Sequence, residues 1–99
     1  MWQDRRLFHK DIHLDRTTWI DRIVLNAEIM RGKPIVRGTR IPVETVLRHL
    51  ASDLDVEEVL KAFPRLTRED VRACVQYAQD LVAGEMLFPR VETGPAPDA

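Results

Sequence analysis

The sequence has little of what several protein classes require. Its 99 residues include one cysteine, Cys74, which excludes an intramolecular disulfide framework and fits a reducing compartment. Uninterrupted apolar runs are three residues long, too short for a membrane-spanning helix, and no secretory signal opens the chain. Neither a Walker loop, a dinucleotide fingerprint nor a Ser-His-acid arrangement is present. These absences predict a cytoplasmic protein that does not span a membrane. They also predict that the protein is not an enzyme and uses no cofactor.

The charge of the chain is balanced overall and unevenly distributed. Lys and Arg total 15 and Asp and Glu total 16, a formal net charge of −1 that argues against a general polyanion binder. Residues 22–48 nevertheless carry a net charge of +4, whereas residues 49–99 carry −5. An anionic partner would therefore meet the middle of the chain. The alternative is that these arginines are solvated or pair with the acidic half of the same fold.

Composition divides the chain into an N-terminal arm (1–21), a core (22–83) and a C-terminal tail (84–99). The arm holds three of the six aromatic residues, and its middle alternates between apolar and polar residues as a half-buried strand does. In the core, 22–25 and 34–37 are predicted as two short strands. The proline-containing tail is predicted to be largely disordered beyond about residue 90.

Three amphipathic helices are the clearest feature of the core. Apolar residues recur at i, i+3, i+4 and i+7, which predicts helices at about 43–51, 56–63 and 68–83. Asp55 and Thr67 are suited to cap the second and third helices, and Gly84 to end the third. The predicted fold is mainly α with a small β unit: a trihelical, helix-turn-helix-like core of the homeodomain-like or winged-helix-like kind, preceded by a two-stranded β element and the arm. So small a core also predicts a homo-oligomer, most simply a dimer.

A basic bend, residues 37–40, lies just before the first helix. Two guanidiniums around a Gly-Thr bend at a helix N-terminus can grip a phosphate or a carboxylate. Alternatively, Arg37 or Arg40 pairs with Glu44 or caps carbonyls of the bend. Base reading by the second helix is disfavoured because it exposes Glu57 and Glu58 to the phosphates. The candidate nucleic-acid or anion contacts are Arg31, Lys33, Arg37, Gly38, Thr39, Arg40, Arg68 and Arg72.

Metal and thiol chemistry receive less support. His9 and His13 share a face with Asp11 and Asp15, which would suit zinc in principle, but no cysteine completes the set. No metal site is therefore predicted. Cys74 lies on the apolar stripe of the third helix, where burial and inertness are expected.

One stretch carries a family signature. Residues 26–43 contain Gly-Lys-Pro at 32–34 and Gly-Thr-Arg-Ile-Pro-Val at 38–43, and the pattern continues through Leu-Thr-Arg-Glu-Asp at 66–70. This run resembles domain-of-unknown-function family 433 (DUF433), and the similarity covers about residues 22–82.

The resemblance implies a function as well as a fold. Members of the family are regarded as VapB-like antitoxins encoded beside a PIN-like ribonuclease toxin. The implied function is to bind and neutralise that toxin and to regulate the operon by binding operator DNA; the alternative is a stand-alone helix-turn-helix DNA-binding regulator. Ser52 and Asp53 stand where relatives tend to have Ala-Gly, and the added negative charge disfavours DNA binding.

The family pattern assigns no role to the arm, but the composition of the arm suggests one. Large aromatic anchors beside arginines suit contact with an acidic, metal-binding nuclease site. The candidate toxin-binding residues are Trp2, Arg5, Arg6, Phe8, Arg16 and Trp19. The alternatives are that the arm packs on its own protomer or swaps across a dimer.

Overall fold

A computed structural model describes residues 19–85 and 88–94 as three helices and a small three-stranded sheet. The strands are β1 (Ile23–Asn26), β2 (Pro34–Val36) and β3 (Arg90–Glu92), and the helices are α1 (Val43–Asp53), α2 (Val56–Ala62) and α3 (Arg68–Val82). The helix predictions are confirmed to within two residues at each end. The mainly α architecture with a small β unit is likewise confirmed. No helix in the described ranges has both the length and the apolar character needed to cross a membrane.

Local sequence signals set the helix boundaries. The Asp55 carboxylate accepts a hydrogen bond from the Glu57 N–H at 2.9 Å and so caps α2. Thr67 and Asp70 form a reciprocal capping box at the start of α3, with N···O distances of 3.1 and 2.9 Å. After α3, Gly84 adopts a φ of +84°, a left-handed conformation that favours glycine. Each cap satisfies backbone groups that the helix end would otherwise leave unpaired.

The sheet has the order β2–β1–β3, with β1 antiparallel to β2 and parallel to β3. The prediction of a two-stranded element is therefore wrong by one strand. Disorder beyond about residue 90 is also wrong for β3, because Val91 pairs with Leu25 in the sheet. The Asn26 side-chain amide further donates to the Gly94 carbonyl at 3.0 Å, which holds the residues after β3 beside β1.

The main hydrophobic core lies between the helices and one face of the sheet. It draws buried side chains from all three helices and from the first two strands, among them Ile23, Val36, Val46, Val59, Val71 and Cys74. Trp19 is fully buried in this core. Its ring packs edge-on against Tyr77 with the centroids 4.8 Å apart. Burial of so large a ring makes Trp19 a central element of the protomer's own fold.

Trp19 also satisfies a buried acid. Its indole N–H donates to a carboxylate oxygen of Asp80 at 2.7 Å, and the Gln76 amide donates to the other oxygen at 3.2 Å. Asp80 is only 3% exposed, so these donors replace the water that the carboxylate loses on folding. The prediction that Trp19 is a toxin-binding anchor is therefore wrong. The remaining predicted arm contacts, Trp2, Arg5, Arg6, Phe8 and Arg16, lie outside the described residues, as does the His9–His13 pair.

The opposite face of the sheet carries a second, much smaller cluster. Because side chains alternate along a strand, Val24 and Ile35 point away from the helices. Ile29, from the loop between β1 and β2, covers them. All three side chains are buried, yet the cluster has no other member among the described residues.

Candidate macromolecule-binding surface

The basic bend at residues 37–40 is closed by its own hydrogen bonds. Gly38 has a φ of +81°, which lets the chain turn back after β2. The Thr39 hydroxyl donates to the Val36 carbonyl at 2.7 Å and accepts from the Ile41 N–H at 2.9 Å. Thr39 is 5% exposed. The prediction that the Thr39 side chain contacts an anion is therefore wrong, because its hydroxyl is buried and already used within the turn.

The two arginines of the bend differ in how they are engaged. The Arg37 guanidinium lies 3.0 Å from the Glu92 carboxylate, so Arg37 pairs with the acidic half of the chain, as one alternative expected, and not with Glu44. Arg40 is exposed, and no described residue forms a hydrogen bond or ion pair with it. Arg65 donates to the Gly38 carbonyl at 3.3 Å and so brings the chain before α3 against the bend. Arg37 and Arg40 could therefore bind one anion together only if Arg37 broke its ion pair with Glu92.

The loop before β2 is strained. Met30, Arg31 and Gly32 have φ values of 53°, 59° and 79°, so three successive residues are left-handed. Such a conformation costs about 1–2 kcal/mol for each non-glycine residue. Arg31 is exposed on this turn, whereas Lys33 pairs with Glu44 at 3.0 Å. That hydrogen bond from Lys33 lowers the pKa of the Glu44 carboxyl. Only the glycine at 32 signalled this turn in the sequence.

A groove between the helices contains the other predicted cations. Its volume is about 440 Å³, and α1, α2 and α3 all contribute to its lining. Leu50, Val56, Val71 and Val75 form an apolar floor. Arg68, Glu69 and Arg72 form a charged rim. We call these seven residues the helical groove; the predicted pair Arg68 and Arg72 meets there, whereas the predicted residues of the bend and of the strained turn do not line it.

Two observations indicate that this groove can bind a partner at little cost. Val75 is one of the apolar residues in the floor of the groove, and it remains 45% exposed. Arg68 lies 2.7 Å from the Glu57 carboxylate, and both side chains are largely exposed. An exposed pair of this kind contributes about 0–1 kcal/mol, so exchanging Glu57 for another carboxylate costs little. The sequence indicated the arginines, but the apolar floor depends on how α1 and α2 pack on α3.

A second, smaller depression lies at the other end of α3. It has a volume of about 180 Å³ and is lined by Pro34, Val43, Glu44, Leu47, Tyr77, Ala78 and Leu81. Among the described residues no cation lines it, and the nearby Lys33 and Arg48 both pair with its one charged lining residue, Glu44. This depression therefore offers mainly apolar contact beside the Glu44 carboxylate, whereas two arginines line the helical groove.

The described residues also bear on the predictions for metal binding and for the cysteine. No group of three His, Cys, Asp or Glu side chains that could hold a metal ion occurs in residues 19–85 and 88–94. Cys74 is buried, and burial raises the pKa of its thiol to about 12. A thiol that stays protonated is a poor nucleophile. The expectation that Cys74 is buried is confirmed.

Comparison with known proteins places the signature in a family. The sequence profile of DUF433, described as a protein of unknown function, matches residues 23–78. The chain belongs to the DUF433 family. The matched segment contains β1, β2, α1, α2 and most of α3, and hence the bend, the strained turn and the whole helical groove. The burial of Trp19 and the addition of β3 lie outside it.

Two curated relatives match different shares of the chain. The uncharacterized protein y4eO of Sinorhizobium fredii is 39% identical over 57 residues, which are 58% of this chain and 26% of y4eO. An uncharacterized protein of Archaeoglobus fulgidus is 45% identical over 29 residues, which are 29% of this chain and 81% of that protein. The chain thus spans about a quarter of the length of y4eO. No solved structure matches the chain.

Proposed function

We propose that the protein is an antitoxin that binds and neutralises a PIN-like ribonuclease in the cytoplasm. The observation that carries the proposal is the helical groove, an open apolar surface rimmed by Arg68 and Arg72. Membership of the DUF433 family supports it, because the resemblance implies an antitoxin. A groove of this kind is suited to a macromolecular partner, since it combines apolar area with cations that can engage carboxylates.

The chemistry of the groove suits an acidic nuclease. A metal-binding nuclease site is a cluster of carboxylates, and a guanidinium binds a carboxylate with two parallel hydrogen bonds. Arg68 can exchange Glu57 for such a carboxylate at little cost, as its present pair is exposed. Burial of Val75 and its neighbours supplies binding free energy of about 25 cal/mol for each Å² of apolar surface removed from water.

Regulation of the operon by DNA binding is a second candidate, and one contact favours it. In a helix-turn-helix arrangement α3 would be the helix presented to DNA, with Arg68 and Arg72 on its exposed side. The Arg65 contact to Gly38 places the bend, with its exposed Arg40, next to the start of that helix. Glu57 and Glu69 lie close to the same surface and repel phosphates. For this reason protein binding is ranked first and DNA binding second.

Co-expression with a neighbouring PIN-like reading frame tests the proposal. We expect the two chains to co-purify and the growth defect caused by the nuclease to disappear. V75E places a carboxylate in the floor of the groove and should reduce co-purification at least tenfold, with toxicity restored. V82E is the matched control, because Val82 lies on the same helix, is 89% exposed and does not line the groove. An unchanged growth defect in the presence of the wild-type chain would refute the antitoxin function.

The stand-alone regulator predicts a different result. It requires tight, salt-dependent binding of upstream DNA by the purified chain alone, with loss of affinity in R68A/R72A. Weak binding of that DNA, unaltered by the double substitution, would exclude α3 as the DNA-reading element. The co-purification result does not depend on this measurement, so the two functions can be decided separately.

A further inference from the structure

Strand β3 forms an outer edge of the sheet. Its inner side pairs with β1, and no strand within residues 19–85 and 88–94 pairs with its outer side. Val91 shares the helix-facing side of the sheet with Leu25 and Pro34 through the strand register. It is nevertheless 68% exposed, because no described helix covers it. An exposed edge with an apolar side chain is a template for a further strand.

We propose that β3 pairs antiparallel with β3 of a second copy of this chain, which joins the two sheets into one of six strands. The proposal goes beyond the antitoxin function and does not depend on it. It rests on the sequence of the strand, Arg90-Val91-Glu92, which is complementary in charge to itself when reversed. In a two-fold pairing centred on Val91, the two valines lie opposite each other. Arg90 then lies opposite the partner subunit's Glu92, and this pair occurs twice.

The charges also select the direction and register of the pairing. A parallel, in-register pair would place each Arg90 opposite another Arg90, and like charges directly opposite destabilise a sheet. Shifting the antiparallel pair by two residues in either direction would remove both Arg–Glu contacts and would place Glu92 opposite Glu92 or Arg90 opposite Arg90. Pro89 limits extension of the new strand pair before Arg90, because proline has no N–H to donate to a new ladder. The register centred on Val91 is therefore the one that satisfies both charges.

Existing ion pairs do not compete strongly with this arrangement. Arg90 lies 3.4 Å from Asp21 and Glu92 lies 3.0 Å from Arg37 within the protomer. The side chains of Arg90 and Arg37 are about half exposed, so each intrachain pair is weak and can be shared with a partner strand. The second copy would meanwhile bury the two Val91 side chains against each other, which the isolated protomer cannot do.

Charge swapping tests the proposal on the full chain. We expect light scattering after size-exclusion chromatography to give twice the 11.5 kDa chain mass at high concentration, with dissociation on dilution. R90E and E92R should each weaken the dimer at least tenfold, because each places like charges opposite one another twice. The double variant R90E/E92R should restore the wild-type dissociation constant. Circular dichroism would confirm that every variant is folded.

The double variant separates interchain from intrachain pairing. Within one protomer the swap places a carboxylate beside Asp21 and a guanidinium beside Arg37, so intrachain pairing alone predicts a variant worse than either single change. K61E is the control for charge reversal away from the edge, as Lys61 is exposed on α2 and pairs with Glu58. A wild-type chain that stays monomeric at high concentration, or a double variant no better than the singles, would overturn the proposal.

Discussion

The two faces of the sheet are stabilised very differently. On one face Ile23 and Val36 pack into a core to which every helix contributes. On the other, Val24, Ile29 and Ile35 form a cluster of their own, covered by a loop that includes a strained left-handed turn. Both sets are equally buried, so burial alone does not distinguish them. What differs is the number of elements that hold each set in place, and with it the cost of disturbing them.

The largest effect is expected at the centre of the main core. W19A should reduce the free energy of unfolding by about 3–5 kcal/mol, because it removes a fully buried ring and leaves the Asp80 carboxylate without its 2.7 Å donor. W19F keeps an aromatic ring beside Tyr77 but loses the N–H and part of the indole volume, so a smaller loss of about 1–3 kcal/mol is expected. Urea unfolding measures both. Equal stability of W19A and the wild type would place Trp19 outside the core.

A matched pair of substitutions compares the two faces directly. I23V and I35V remove the same methylene from a fully buried isoleucine, one on each face of the sheet. Both should lie in the range of about 0.5–1.5 kcal/mol, with I23V near the top. I35V should lie near the bottom, because the loop over the small cluster can settle onto the smaller side chain. Urea unfolding with equal losses for the two variants would show that the faces are equally rigid.

The smallest effect concerns the thiol in the main core. Since burial raises the pKa of Cys74 to about 12, the folded chain should not react with an aromatic disulfide reagent at pH 8. In urea the thiol should react quickly, because an exposed cysteine has a pKa of about 8.5. Labelling of the native chain should therefore proceed at the rate of unfolding. Rapid labelling without denaturant would mean that this face of the core opens to solvent.

Local signals in the sequence predicted the helices well. Asp55, Thr67 and Asp70 act within three residues of their hydrogen-bond partners, so the spacing alone was sufficient. The failures were contacts between distant parts of the chain. Val91 pairs with Leu25, and Arg37 with Glu92, across more than fifty residues. Trp19 looked like part of an exposed arm because its partner, Asp80, lies 61 residues away.

The candidate surface was also predictable only in part, because it combines local sequence features with contacts between distant residues. The cations could be read from the sequence, and Arg68 and Arg72 do meet in one groove. Their apolar floor could not be foreseen, because it forms only where three helices pack. Thr39 was assigned to the wrong role since a Gly-Thr pair suits both an anion contact and a closed turn, and the sequence does not reveal where its hydroxyl points.

The parallel pairing of β3 with β1 depends on the order of synthesis. A ribosome makes β1 early, then all three helices, and only afterwards the strand that completes the sheet. Until residue 92 has left the exit tunnel, the nascent chain presents one edge of its central strand without a neighbour. The pairing of β3 with β1 therefore waits until residue 92 has been translated, and a message truncated after α3 would yield a chain with an open, adhesive sheet edge.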